Sequence, residues 1–135
     1  MTIVSKSSTI VAALVAGALF AQTPPAAKPP AIQRTILQRK DISMPGREAV
    51  IARVEIAPES FAGRHTHPGE EITYILEGEA EILVEGQPVL KLKAGDSFII
   101  PAGAKHDAHN TGKQPLKMVG VYVVDKSQPM ATPAP

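Results

Sequence analysis

The chain has 135 residues, enough for one domain with a core of its own and too few for two. Its formal net charge is +1, its basic residues are scattered and it has no tryptophan, which together argue against a nucleic-acid surface. It has no cysteine, so disulfides, thiolate metal sites, iron–sulfur clusters and thiol nucleophiles are excluded, and any metal must be held by nitrogen and oxygen.

The first 21 residues, MTIVSKSSTIVAALVAGALFA, place one lysine before an apolar run and end in small residues. This pattern predicts a secretory signal peptide cleaved after Ala21, with Ala18 the alternative site, and hence a periplasmic or secreted protein with no stable membrane span after cleavage. Residues 22–31 are rich in proline and alanine and predict an extended linker. The tail, residues 127–135, has the same composition and is expected to be disordered, which leaves residues 32–126 as the domain.

Within that domain the pattern is β throughout. Val50, Ala52, Val54 and Ile56 alternate in one segment (48–56), and Ala80, Ile82 and Val84 alternate against glutamates in another (78–86). Further strands are predicted over 71–77, 88–93, 96–100 and 115–125, with turn residues between them at Gly78, Gly86, Gly95, Gly103 and Gly112. Short strands at this spacing predict an all-β antiparallel sandwich or barrel. In the 71–77 segment both faces carry bulky apolar groups, so both are expected to be covered. An N-terminal strand or a second subunit would supply the outer cover, and we therefore expect a homodimer.

All four histidines fall in two short stretches, GRHTHPGEE (63–71) and PAGAKHDAHN (101–110). On a strand His65 and His67 point the same way. After the Pro68-Gly69 turn, Glu71 opens the next strand, expected to lie beside the first. A carboxylate and two imidazoles can therefore converge, and His106 can complete the set from another strand. Three imidazoles and one carboxylate suit one divalent first-row ion such as Fe, Mn, Zn, Cu or Ni, with positions left for water or substrate.

These two stretches resemble the paired motifs of the cupin superfamily. In the first, His65, Thr66 and His67 are followed by Glu71 and, after six residues, Gly78. In the second, Gly95, Pro101, Gly103, His106 and Asn110 fill every defined position. One position departs: the leading glycine of the first motif falls on Glu59, so the loop before His65 is expected to differ in shape. The resemblance covers nearly the whole domain and implies a small single-domain cupin, an all-β double-stranded β-helix or jelly-roll barrel. It implies His65, His67, Glu71 and His106 as metal ligands, with Glu70 facing solvent and Asn110, Gly78, Gly95 and Gly103 forming turns.

Other polar residues are weaker candidates. Arg53, Phe98 and His109 are the candidate substrate contacts; His109 has the opposite strand parity to His106, which points to a surface or supporting position. Arg64 should point away from the metal, and Tyr74 reads as packing. Ile75, Ile82, Val84 and Phe98 would give the cavity an apolar lining. The fold and ligand set of the family do not select among its activities; the apolar lining points to a metal-dependent enzyme, dioxygenase-like, acting on a small oxygen-chelating substrate, with Glu71 as ligand and general base. The rival is an exported protein that binds a metal or a small molecule without turnover.

Overall fold

The computed structural model describes residues 30–135. The expected signal peptide and residues 22–29 of the linker lie outside the described residues. Ten strands build two five-stranded sheets. The strands are β1 (Ile32–Asp41), β2 (Arg47–Ile56), β3 (His65–Thr66), β4 (Gly69–Glu77), β5 (Glu79–Val84), β6 (Leu90–Lys93), β7 (Ser97–Ile100), β8 (His106–Asn110), β9 (Leu116–Asp125) and β10 (Thr132–Pro133). One sheet has the order β1-β2-β9-β4-β7 and the other β10-β3-β8-β5-β6, with every pairing antiparallel. This is the antiparallel sandwich expected from the strand spacing, with the jelly-roll architecture that the family resemblance implies.

Alternation places the core. Val54, Ile56, Ile75, Ile82, Phe98, Ile100, Leu116 and Met118 meet between the sheets in one cluster, and Val50, Ala52, Tyr122 and Val124 form a second. The polar side chains described below sit at the level of Tyr122, which stands opposite Glu71 across the β9–β4 pair. They interrupt the apolar interior and divide it in two.

The chain passes from one sheet to the other at Pro68-Gly69. β3 and β4 are therefore not neighbours in a hairpin, as the turn suggested: β3 pairs with β8 and β10, whereas β4 pairs with β9 and β7. The histidines and Glu71 face each other across the interior. Gly69 is required at this crossing, because a Cβ there would lie 1.8 Å from the Val123 carbonyl oxygen on β9.

Two terminal segments differ from expectation. β1 is a ten-residue edge strand whose residues beyond Ile32 and Arg34 are largely exposed, so its sequence lacks strong alternation. It pairs with β2 at the far edge and does not cover the outer face of β4. There Ile72, Tyr74 and Leu76, with Ile99 of β7, are all at least 44% exposed in the single chain. The tail is also not disordered as its composition suggested. It adds β10 to β3, and the Ala134 amide donates to the Arg64 carbonyl. Backbone hydrogen bonds hold it, and composition does not encode those.

The departure at Glu59 has a structural counterpart. Glu59 is the one non-glycine residue in the left-handed region among the described residues, with φ of 52°. Gly78, Gly95 and Gly103 take positive φ at the turns where they were expected. A side chain in this conformation costs about 1 kcal/mol relative to glycine. Glu59→Gly should therefore raise the melting temperature by a few degrees; an unchanged or lower value in thermal unfolding would show that the Glu59 side chain compensates.

Candidate metal centre

His65 lies on β3, His67 at its end, Glu71 on β4 and His106 on β8, and all four are buried. One donor atom from each lies within 4.8 Å of the others. His65 Nε2 is 3.1 Å from His67 Nε2, and Glu71 Oε2 is 3.1 Å from both His67 Nε2 and His106 Nε2. Glu70, one residue earlier, is exposed, as strand parity requires.

The opposite edges of the three rings decide what these atoms can do. The Nδ1 of His65 is 2.6 Å from the Gly63 carbonyl, that of His67 is 2.5 Å from the Met130 carbonyl, and that of His106 is 2.9 Å from the Ala104 carbonyl. A carbonyl only accepts, so each Nδ1 carries a proton, and a ring that gives up its other proton turns a bare Nε2 lone pair toward the others. Three lone pairs and a carboxylate pointed at one spot repel unless protons or a cation lie between them. With metal–ligand bonds of about 2.1 Å, two donors at a right angle sit about 3.0 Å apart and two at a tetrahedral angle about 3.4 Å apart. The observed 3.1 Å separations match the first. The quartet is therefore compatible with one metal ion that keeps positions for further ligands, and its hard and borderline donors suit a divalent first-row ion.

Burial pushes the His65 imidazole down to about 4; the Gly63 carbonyl opposes this, and the neighbouring His106, His67 and Arg34 charges reinforce it. For Glu71, burial would raise the pKa, but contacts with His106 and His67 and the hydroxyl of Thr73 outweigh it and hold the carboxyl well below the usual carboxylate range. Thr73 Oγ1 donates to Glu71 Oε1 at 2.8 Å, leaving Oε2 to the histidines. Both groups thus favour the neutral imidazole and the carboxylate, the forms that ligate a metal.

The inner cavity beside the quartet is lined by Ile32, Val54, Ile56, Ile82, Phe98 and Met118 among others, with the polar groups Arg34 and Tyr122. Phe98 is where the sequence suggested, against the site. Arg53 is not: it is exposed on the outer face of β2, because Ala52 and Val54 point inward. His109 also faces outward, stacked on Phe61 with ring centroids 4.0 Å apart and 3.5 Å from Glu81 Oε2. Arg64 is paired with Glu85 at 2.9 Å.

Three residues at the site were missed. Thr73 shares Glu71's face by simple alternation. Tyr122 alternates with Met118 and Gly120 on β9; its phenol lies back over Gly120, where a Cβ would come within 2.8 Å of the hydroxyl. Burial, aided by the Glu71 charge, pushes that phenol up to about 12, with the Arg34 guanidinium opposing the shift. Arg34 was hidden because β1, with only Ile32 and Arg34 turned inward, was not recognised.

Comparison with known proteins agrees with the fold. Residues 52–123 match the family model of the cupin domain. The chain belongs to the cupin family. An oxalate-binding protein from Thermotoga maritima is 36% identical to this cupin over 83 residues, 61% of this chain and 68% of that protein. Acireductone dioxygenase from Rhodopseudomonas palustris is 36% identical over 62 residues, 44% of this cupin and 38% of the enzyme. The crystal structure of the DMSP lyase DddQ from Ruegeria pomeroyi superposes with a TM-score of 0.58 at 30% identity, over 64% of this cupin and 43% of the lyase. This cupin thus spans less than half the length of the lyase and the dioxygenase. Among the described residues no helix is long and apolar enough to cross a membrane.

Proposed function

We propose that this cupin is an exported metal-dependent oxidoreductase, dioxygenase-like, acting on a small substrate that chelates the ion through oxygen. The observation that carries the reading is the set of three imidazoles with their Nδ1 protons committed to carbonyls and their Nε2 atoms turned, with Glu71, toward one point beside an apolar cavity. His65, His67, Glu71 and His106 would hold one divalent ion. When bound, such an ion supplies Lewis-acid activation, or electron transfer if it is iron, manganese or copper. The apolar walls would exclude water and raise the worth of each charge inside. The depressed proton affinity of Glu71 suits a ligand better than the general base expected from the sequence. Oxygen uptake by metal-loaded protein, screened over phenols, β-diketones and small acids with iron and manganese first, tests the enzymatic reading; a flat trace with every metal contradicts it.

A second reading has its own support. Apart from Arg34, Tyr122, Asp107 and the ligands His65, Glu71 and His106, the cavity lining is apolar and offers few acid–base groups, and one relative is named for binding oxalate. A binding protein without turnover would be stabilised against heat by a compound that is then recovered unchanged.

Export rests on the pattern of residues 1–21 and places the mature chain in the periplasm or outside the cell. A mature N-terminus at Gln22 in the exported fraction, read by mass spectrometry, is the expected result; an uncleaved cytoplasmic product contradicts it. Homodimer formation rests on the exposed Ile72, Tyr74, Leu76 and Ile99. Light scattering should give a dimer mass at micromolar concentration and a monomer for Tyr74→Glu; a monomeric wild type removes the proposal.

A further inference from the structure

One partly buried cation at the site keeps a buried nitrogen without an acceptor. Arg34 enters the inner cavity from β1, and its Nη2 is 3.3 Å from His65 Nε2. Its Nε is the one buried side-chain nitrogen or oxygen with no hydrogen-bond partner among the described residues. A guanidinium has five N–H donors, and withholding acceptors from one buried against apolar walls is costly. Arg34 takes part in no ion pair among the described residues.

A metal ion makes the deficit larger. The His65 Nε2 that Arg34 now contacts is one of the four donors directed at the ion, so ligation removes that acceptor and leaves the guanidinium only the Tyr122 oxygen beside it. The acidic side chains lining the cavity are Glu71, which faces the histidines, and Asp107, whose Oδ1 already accepts from the Gly63 and Ala108 amides. A divalent ion and Arg34 then stand against two carboxylates, which leaves net positive charge in a confined space of low dielectric.

The surroundings offer an anion a path. An outer cleft of about 260 Å³ is lined by Arg34, Arg64, His65 and the tail residues Ala131 and Pro133, with no acidic side chain. Arg34 and His65 line both the cleft and the inner cavity and so form the wall between them. The inner cavity is about 20 Å³, the space of roughly one water, so the group that reaches the ion must be small.

We propose that Arg34 is a ligand-binding residue that selects a small carboxylic acid, gripping its carboxylate while an oxygen of the same molecule faces the metal quartet. The planar fork of a guanidinium matches a carboxylate with two parallel hydrogen bonds, which neither lysine nor glutamine reproduces. The assignment rests on the metal-centred reading above and specifies the class of molecule that site takes.

The test uses the full mature chain, metal-loaded, as wild type, Arg34→Lys and Arg34→Gln. Metal content is measured in each, and the affinities for glycolate and oxalate are measured by calorimetry beside catechol, a chelator with no carboxylate. Arg34→Gln should hold as much metal as wild type and bind catechol equally, yet bind the acids roughly 10- to 100-fold more weakly, the worth of a lost charge-assisted contact. Arg34→Lys should fall between them. Wild type that holds metal but binds neither acid, or binds them no more tightly than Arg34→Gln does, overturns the assignment alone. An equal loss of catechol affinity in Arg34→Gln does the same. Wild type that takes up no metal overturns the metal-centred reading and the bridging acid with it.

Discussion

His106→Ala is expected to lose metal by more than about 100-fold in affinity, and Glu71→Gln to lose nearly as much, while both still fold. Changing a group that merely supports a metal ligand typically costs 10- to 100-fold, so removing a ligand should exceed that range. Glu71→Gln keeps the shape of the side chain but removes the charge that offsets the ion. Its amide can also donate to the Nε2 lone pairs that would otherwise hold the ion. The same reasoning extends to the tail. His67 is oriented by the Met130 carbonyl, so truncation after Gln128 should weaken metal binding by about 10- to 100-fold without deleting any ligand. Inductively coupled plasma mass spectrometry of dialysed protein, with competition against a chelator of known affinity, reads all three. Unchanged affinity in the truncated chain would mean that His67 is held well enough by its position after β3.

The second large effect is structural. Asn110→Ala should destabilise the protein by about 3 kcal/mol or more, a large part of the stability of an ordinary domain. Asn110 is 0% exposed, and its Nδ2 lies within reach of the Ile56, Ala57 and Gln114 carbonyls at 3.0, 3.1 and 2.8 Å. Its Oδ1 accepts from the Gly112 amide at 2.9 Å. One side chain thus ties the end of β2 to the turn after β8. Alanine leaves those backbone groups without their partner, each costing about 1–3 kcal/mol where water cannot replace it. Asn110→Asp should be no better, because a carboxylate has no proton for the carbonyls and carries a charge into the interior. Denaturant unfolding measures the loss; a change below about 1 kcal/mol in the alanine variant would mean that water enters and takes over the contacts.

Asn110 also illustrates what the sequence could and could not tell. Its place in the motif marked it as a turn residue, and it does bond within its turn. Its grip on β2, more than fifty residues away, is a tertiary fact that no local pattern carries. Strands with one face in the core, such as β2, β5 and β9, were readable because burial enforces a period of two. β1 was not, because most of its side chains meet solvent on both faces. β10 was not, because two residues and a proline satisfy no strand pattern and are held by backbone contacts alone. The quartet was legible because strand parity aligns His65 with His67 and the paired motifs mark Glu71 and His106; that Pro68-Gly69 crosses between the sheets was not. Arg53 could have been rejected on the same parity, since Val50, Ala52, Val54 and Ile56 already claim the inner face of its strand. Arg34 could not be seen as a site residue until its strand was known.

Glu59 joins the two levels. The motif position it occupies asks for a glycine, and the chain places a glutamate there in the left-handed region that favours glycine.

The most direct test is the metal content of the mature chain, purified without added metal and then reconstituted, beside His106→Ala. One ion per chain in the wild type and a sharp fall in the variant is the predicted result. An equal content in both, or none in either after reconstitution with iron, manganese, zinc, copper and nickel, would contradict a metal centre built from His65, His67, Glu71 and His106.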